Sequence, residues 1–242
     1  MAAHVEPHEA VGHHRALQHH FDNMEQQREA GSLGMWIFLV TEIMFFGGLF
    51  MAYLLYRTKY PWAFIAGSNH LNVTMGGINT VVLICSSLTM ALAVYYAQVG
   101  SRKLQVVFLI LTMLLGATFL GIKGVEYYDK YRDHLIPVPG FFQWEAPPPH
   151  EAGITDTETY ARNIQMFYWI YFAMTGLHAF HMVIGLGLLS FLVYFAWRGR
   201  YSPEYHAPVE LTGLYWHFVD IVWIFLFPLL YLLGRHLETG GH

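Results

Sequence analysis

The sequence predicts an all-α membrane protein built as a bundle of five transmembrane helices. Three observations lead to this fold class. Of the 242 residues, 55% are hydrophobic and only 12% are charged, whereas a soluble domain has about 25% charged residues. The mean hydropathy is +0.35. Five apolar stretches are each long enough to cross a hydrocarbon core of about 30 Å as a helix.

The first apolar stretch is Leu33–Tyr56, whose only charged residue is Glu42. Glu42 lies near the middle of the predicted span, where an ionised acid costs about 2.5 to 3.5 kcal/mol. Its neighbours one helical turn away are Phe38, Leu39, Phe45 and Phe46, and none of them can pair with a carboxylate. We therefore expect its partner on another helix, another chain, a lipid or a trapped water, unless the acid is protonated.

The other predicted helices have unequal lengths and connections. The fourth lies within 34 apolar residues, roughly 50 Å if helical throughout, so it must tilt or protrude. The aromatic residues at its start, 167–172, are typical of an interfacial belt. Pro228 is expected to kink the fifth helix. The predicted helices two to five cover about 73–97, 104–125, 164–197 and 211–234, within a transmembrane domain of residues 31–236.

Two polar segments flank or interrupt the helices. Residues 1–30 are rich in His, Glu and Gln, and they lack the periodic apolar residues that would hold metal ligands in place, which predicts a solvated tail. Residues 126–163 form a long acidic connection with several prolines, a length that usually indicates a function. Arg102, Lys103, Arg198 and Arg200 crowd two short connections on one side, which favours a cytoplasmic N-terminus.

Several function classes are excluded or unsupported by the sequence. The net charge of −4 argues against nucleic-acid binding. The single cysteine, Cys85, cannot form an intrachain disulfide. We find no nucleotide-binding, nucleophile-elbow or H-E-x-x-H motif in the chain. The paired glycines at 47–48 and 76–77, and those at 116, 121, 176, 185 and 187, are expected to allow close helix contacts.

A small set of polar residues remains inside the predicted spans. His178 and His181 share one helix face, and so do His217 and Asp220. If the helices alternate in direction, Glu42, His181 and Asp220 fall in the same middle band of the membrane. Such a band could be a proton path, a metal site or a structural network that fixes helix packing, and we favour the structural interpretation. The ligand shell is thin for a di-iron enzyme, and a haem would need one of these histidines in a cavity between helices.

Five stretches of the sequence form a recognisable series of motifs. They are WIFLVTE (36–42) with Phe45-Phe46, Asn79-Thr80, EYY (126–128), TGLHAFH (175–181) with Gly185, and YWHFVDIVW (215–223), which ends in Trp223. In order and spacing they closely resemble subunit III of the haem–copper oxidases, in the cytochrome c oxidase branch. The resemblance covers nearly everything from Gly31 to Gly234, and its most specific strings are those at 175–181 and 216–223.

The resemblance implies a subunit without a redox cofactor of its own. In this family the haems and copper belong to partner subunits, while subunit III packs on subunit I, binds phospholipid and supports proton uptake and durability. Glu42 would be the family's buried helix carboxylate, and none of the polar residues would be a metal ligand. The polar residues of the family motifs are Glu42, Asn79, Glu126, His178, His181, His217 and Asp220.

Many family members have seven helices, so this chain resembles the five-helix bacterial form. The far wall of the family's lipid-filled cleft would then come from another subunit or be open to lipid. We expect a location in the bacterial cytoplasmic membrane, with a larger respiratory supercomplex as a further partner. The alternatives within the family are subunit III of a quinol oxidase or a homologue that accompanies nitric oxide reductase. From a different class, the alternative is a stand-alone membrane metalloenzyme or haem protein.

Overall fold

The computed structural model describes residues 21–147 and 156–232. Within these ranges the chain is helical, with no strand longer than an isolated bridge between Ser202 and Tyr205. Five of the helices are long and apolar enough to cross a membrane, which confirms the predicted fold class. The elements are α1 (Met24–Lys59), α2 (Pro61–Asn69), α3 (Val73–Val99), α4 (Arg102–Arg132), α5 (Thr157–Trp197), α6 (Ala207–Phe227) and a π-helical turn (Pro228–Leu232).

Capping side chains define where three of the long helices begin. The side chains of Asn23, Asn72 and Asp156 each accept a hydrogen bond from a backbone N–H in the first turn of α1, α3 and α5, because the first N–H groups of a helix lack partners within it. Helix α3 ends at Val99 and is capped by Gly100, whose φ of +83° lies in the left-handed region that glycine adopts without strain. The α-helical geometry of α6 ends where Pro228 begins the π-helical turn.

The helices extend beyond the apolar stretches that predicted them. Helix α1 begins at Met24, so residues 24–30 of the predicted tail are helical, while residues 1–20 lie outside the described residues. Helix α4 continues to Arg132 and α5 begins at Thr157, so both ends of the predicted 126–163 connection are helical. Hydropathy marks only the part of a helix that lies in lipid, and a polar continuation leaves no apolar signal.

A short helix that the sequence did not predict follows α1. Helix α2 occupies most of the predicted connection between the first two spans and starts with Pro61 in its first turn, where proline is favoured. It packs mainly on α5, and Phe64 contacts Phe167 edge-to-face at 5.3 Å. The predicted interfacial belt at the start of α5 is therefore wrong for most of its residues. Phe167, Tyr168 and Tyr171 are buried inside the protein, and only Trp169 is largely exposed among these four.

The bundle core is organised around the indole of Trp216 on α6. Glycines allow α4 and α5 to approach it: a Cβ atom on Gly116 would lie 2.7 Å from the ring, and one on Gly185 would lie 2.9 Å from it. The indole N–H donates to the hydroxyl of Ser86 on α3 over 2.9 Å. Five other glycines that the sequence suggested as contact points have no neighbour within 4 Å of an added Cβ atom: Gly47, Gly48, Gly77, Gly121 and Gly187.

On the side opposite the start of α1, the connection after α4 packs over α2. The Lys130 ammonium donates to the backbone carbonyl of His70 over 2.6 Å, and the imidazole of His70 packs on Trp144 with ring centres 4.7 Å apart. Partial burial, together with the charge of Lys130, lowers the pKa of His70 below its usual 6.5. His70 is therefore neutral at neutral pH.

Candidate functional site

The acid in the middle of α1 has its partner on α5. His181 Nε2 lies 3.1 Å from Glu42 Oε2, and His181 Nδ1 lies 2.9 Å from the backbone carbonyl of Leu177. The backbone carbonyl of His181 accepts a hydrogen bond from the Tyr215 hydroxyl on α6, at 2.9 Å. Phe46 covers the imidazole, with ring centres 5.5 Å apart. One polar contact therefore ties α1 to α5 in the middle of the span.

The two contacts of the His181 ring restrict where its hydrogens can lie. A carbonyl oxygen only accepts, so the Leu177 contact requires a hydrogen on His181 Nδ1. The short contact on the other side of the ring also requires one hydrogen, which comes either from a protonated Glu42 or from an imidazolium Nε2–H. A carboxylate facing a bare Nε2 would bring lone pairs together. In either arrangement one hydrogen between Nε2 and the carboxyl oxygen joins the two side chains.

A second polar cluster, which we call the Lys123 cluster, joins α4, α5 and the π-helical turn. The Lys123 ammonium donates to Glu126 Oε2 over 2.9 Å, and the hydroxyls of Tyr171 and Tyr231 donate to Glu126 Oε1 over 2.9 and 2.5 Å. The ammonium also lies 4.8 Å from the centre of the Trp223 indole. All the members are buried. A buried ion pair needs hydrogen bonds in addition to the opposite charge, and here the two tyrosine hydroxyls supply them to Glu126.

The remaining histidine of α5 is surrounded by aromatic rings. His178 is fully buried, and it packs on Phe119 at 5.3 Å and on Trp223 at 5.4 Å between ring centres. Neither ring nitrogen has a hydrogen-bond partner in the part of the chain that the structure describes. Across residues 21–147 and 156–232, no three His, Cys, Asp or Glu side chains are grouped so that they could hold a metal ion.

Helix α3 contributes an amide and a hydroxyl near the same region. Asn79 is fully buried, and within the described ranges neither its oxygen nor its nitrogen has a partner. The neighbouring Thr80 hydroxyl accepts a hydrogen bond from the Trp223 indole N–H over 3.1 Å, which joins α3 to α6. Thus Trp223 contacts both His178 and the Lys123 cluster while it donates to α3.

The last pair of motif residues faces the gap between α3 and α6. The Ser87 hydroxyl lies 2.7 Å from His217 Nδ1. Asp220, one turn further along α6, is 3% exposed. Its two carboxyl oxygens are shielded from the surface, and the same Ser87 hydroxyl interacts with them, although without good hydrogen-bond geometry. The sequence placed Glu42, His181 and Asp220 in one band of the membrane. The structure brings Glu42 and His181 into contact, whereas Asp220 lies apart from them, beside the gap between α3 and α6.

Sequence reasoning missed three side chains that complete these arrangements. Tyr171 was expected in an aromatic belt, while Tyr231 and Ser87 belong to no recognised motif, yet all three contact a motif residue. The tyrosine on α5 carried a detectable signal, since Tyr171 is four residues before Thr175 and therefore shares the face of α5 that carries the motif. Ser87 carried none, because a serine in a transmembrane helix commonly bonds to its own backbone.

Comparisons with known proteins give a consistent result. A family described as cytochrome c oxidase subunit III matches residues 15–132 and 158–235. The chain is 31% identical over 220 residues to a cytochrome c oxidase subunit 3 of Thermostichus vulcanus, covering 88% of this chain and 92% of the relative. It is also 31% identical over 215 residues to the quinol oxidase subunit 3 of Bacillus subtilis, with coverage of 87% and 92%. A probable quinol oxidase subunit 3 of Staphylococcus haemolyticus is 28% identical over 215 residues, with coverage of 88% and 94%.

Proposed function

The chain belongs to the subunit III family of the haem–copper oxidases, and from that premise we propose that it is a non-catalytic subunit of a proton-pumping respiratory terminal oxidase. In this proposal it packs on subunit I, binds phospholipid and supports proton uptake and the stability of the complex. The haems and copper that reduce oxygen reside in partner subunits.

One observation carries the non-catalytic role. The three intramembrane carboxyl groups among the described residues lie in separate places, on α1, α4 and α6, and do not converge on one cavity. Two of them are occupied by partners within this chain, Glu42 by His181 and Glu126 by the Lys123 cluster. An active site requires several reactive groups that converge on a substrate-sized space. The arrangement instead suits a role in joining helices.

The outer surface of the bundle supports a role within a larger membrane assembly. Helix α1 exposes a long row of large apolar side chains, among them Trp36, Ile37 and Met44. Of the residues in an apolar 18-residue stretch of α1, only 17% are buried within the chain. Such a face is compatible with lipid tails and with helices of other subunits, since lipid is as apolar as these side chains.

The electron donor of the whole complex divides the proposal into two candidates. We assign the chain to the cytochrome c branch, on the Thr41-Glu42 pair within the first motif. A quinol oxidase is the second candidate, because a relative named quinol oxidase subunit 3 and one named cytochrome c oxidase subunit 3 are each 31% identical to this chain.

The membrane and the orientation also belong to the proposal. We place the chain in the bacterial cytoplasmic membrane with its N-terminus in the cytoplasm. The short connections at the end of the bundle where α1 begins carry Arg102, Lys103, Arg198 and Arg200. Dense Lys and Arg in short loops are typical of the cytoplasmic side.

Purification through a tag on this chain tests the proposed function. We expect haem-containing oxidase subunits to co-purify from solubilised membranes, and we expect the complex to reduce oxygen with reduced cytochrome c faster than with a quinol. Preferential quinol oxidation would reassign the branch while retaining the subunit role. A haem absorption band or a stoichiometric metal that stays with this chain after the other subunits are removed would contradict the role itself.

A further inference from the structure

Two short connections meet at the end of the bundle where α1 begins. The turn between α3 and α4 packs on the connection that follows α5, and a Cβ atom on Gly100 would lie 3.0 Å from the side chain of Pro203. Arg102, the first residue of α4, donates through Nε to the backbone carbonyl of Ala196 over 3.1 Å. Its guanidinium would also lie 3.2 Å from a Cβ atom on Gly199. The two connections therefore form one continuous surface.

This surface carries four exposed cationic side chains and no acid that neutralises them. The sequence has no Asp or Glu within 71–125 or 159–203. The next acids after α5 are directed elsewhere, since Glu204 lines a cavity beside the start of α1 and Glu210 lies 3.1 Å from His206 Nε2. None of the four cations forms an ion pair with an acid in the part of the chain that the structure describes. We call these four residues the basic surface: Arg102, Lys103, Arg198 and Arg200.

Two of the arginines lie over aromatic rings of α5. The guanidinium carbon of Arg198 is 5.0 Å from the centre of the Tyr194 ring, and that of Arg200 is 5.0 Å from the centre of the Phe195 ring. The N–H groups of a guanidinium lie in its plane and match the oxygen atoms of a phosphate in pairs. No hydrogen bond to another described residue uses the side chain of either arginine. Their donors are therefore available to an oxyanion.

The basic surface adjoins side chains that belong in a membrane. Trp197, in the last turn of α5, is 68% exposed, and Tyr194 is exposed as well; both residue types are typical of the level of lipid headgroups. Phe191 lies one turn nearer the middle of the membrane, is 63% exposed and contacts Phe195 with ring centres 4.8 Å apart. The arginines thus lie at the boundary between the polar end of the bundle and its apolar side.

An anionic phospholipid combines the two properties that this boundary requires. Its phosphate can accept hydrogen bonds from the guanidinium groups, and its acyl chains can cover the exposed apolar side chains beside them. A lipid with a choline headgroup has a cation of its own, which the basic surface repels. A soluble anion would contact the arginines but leave the apolar side chains uncovered.

We propose that the basic surface binds the headgroup of an anionic phospholipid, with the phosphate at Arg198 and Arg200 and the acyl chains beside Phe191. The inference rests on the proposed function, because it deepens the binding of phospholipid that we propose for this chain. It adds the place of the lipid on the bundle, the charge of its headgroup and the residues that select it.

Photo-cross-linking in the tagged oxidase complex tests the identity of the bound molecule. A benzophenone amino acid replaces Phe191 or, as a control, Trp169, which is 51% exposed near the other end of α5. The complex is reconstituted in nanodiscs that contain equal amounts of phosphatidylglycerol and phosphatidylcholine. A basic residue beside anionic lipid strengthens binding by about fivefold. We therefore expect adducts at 191 to favour phosphatidylglycerol by about fivefold or more, and adducts at 169 to show less preference.

Two results of this experiment would overturn the proposal. One is an equal yield of the two lipids at position 191, which would mean that the headgroup charge is not recognised. The other is an adduct of the probe at 191 with another oxidase subunit alone, which would assign this face to a protein partner.

Substitutions of the arginines test the residues that select the lipid. In chains with the probe at 191, the double variant Arg198→Gln/Arg200→Gln should lose the preference for phosphatidylglycerol. Arg198→Lys/Arg200→Lys keeps both charges and should retain most of it. Arg162→Gln, which removes an exposed arginine at the other end of α5, should leave the preference unchanged. An undiminished preference in the glutamine double variant would contradict the role of these arginines.

The outcomes separate this inference from the proposed function. An equal yield of the two lipids in a complex that contains the other oxidase subunits would overturn the lipid site and leave the subunit role intact. A chain that co-purifies with no oxidase subunit would contradict the proposed function, and the same cross-linking on that chain would still decide the lipid site.

Discussion

The pairing of Glu42 with His181 leads to a quantitative prediction about helix association. Replacing Glu42 with Leu removes the partner of His181 Nε2 and leaves that nitrogen with an unsatisfied lone pair. The lost hydrogen bond between transmembrane helices contributes about 0.6 kcal/mol on average and at most about 1.7. An unsatisfied buried polar atom adds about 1 to 3 kcal/mol. His181 and Glu42 side chains retain 9% and 19% exposure, which places the expected cost of Glu42→Leu near the lower end, at about 1 to 2 kcal/mol.

Two further variants separate the contact from general effects of substitution. The amide of Glu42→Gln can donate to His181 Nε2, so this variant should lose less than about 0.5 kcal/mol. His181→Leu removes the other partner, and the double variant Glu42→Leu/His181→Leu should cost less than the sum of the two single changes. The expected coupling is about 1 kcal/mol, a factor of about five in the unfolding equilibrium constant.

Reversible unfolding of the chain in mixed detergent micelles measures this cycle. Infrared difference spectra of wild type and Glu42→Gln measure the proton directly, because a protonated carboxyl and a carboxylate absorb at different frequencies. We predict that Glu42 is at least partly protonated and that the pair keeps one proton at neutral pH. Additive single and double variants, or a fully ionised Glu42 beside a neutral His181, would refute the reasoning.

Three other predictions concern the packing of the bundle and the outer connection. Lys123→Met should destabilise the chain by about 3 to 5 kcal/mol in the same unfolding assay, because it leaves the Glu126 charge buried without its cation; a cost below about 1 kcal/mol would contradict this. Gly116→Ala should cost about 1 to 3 kcal/mol, since the added methyl group would meet the indole ring at 2.7 Å, whereas Gly121→Ala, with open space around it, should cost nothing. Because the pKa of His70 is lower in the folded chain, the unfolded chain binds more protons below pH 6.5, so stability should fall as the pH drops below that value; His70→Gln should flatten this dependence, and an unchanged pH profile would exclude His70 as its source.

The sequence predicted the spans better than it predicted their contacts. Hydropathy identified five helices because lipid selects for apolar side chains along the whole span. Spacing identified which residues share one face of a helix, as for His178 and His181, since that depends on the helix period alone. The helix that each face meets depends on the tertiary arrangement, which a single sequence does not show. For this reason Asp220 was grouped with Glu42, although it faces α3 instead.

The partner of Glu42 shows where this boundary lies. Sequence reasoning required a partner outside α1 and named the band that contains His181, but could not choose between a helix, a lipid and water. The structure supplies the partner as a side chain on α5, 3.1 Å away. Helix α2 was missed for a different reason: its nine residues are too short to have a clear periodicity. The Pro61 that begins it was the only local signal.

The central claim is that this chain supports an oxidase whose chemistry belongs to other subunits. Measuring oxygen reduction by the purified complex with and without this chain, over time and across pH, tests that claim most directly. We predict that the depleted complex keeps its haems and reduces oxygen at first, but turns over slowly at high pH and loses activity early. Immediate and total loss of oxygen reduction, with haem content and the fold of the catalytic subunit intact, would contradict it.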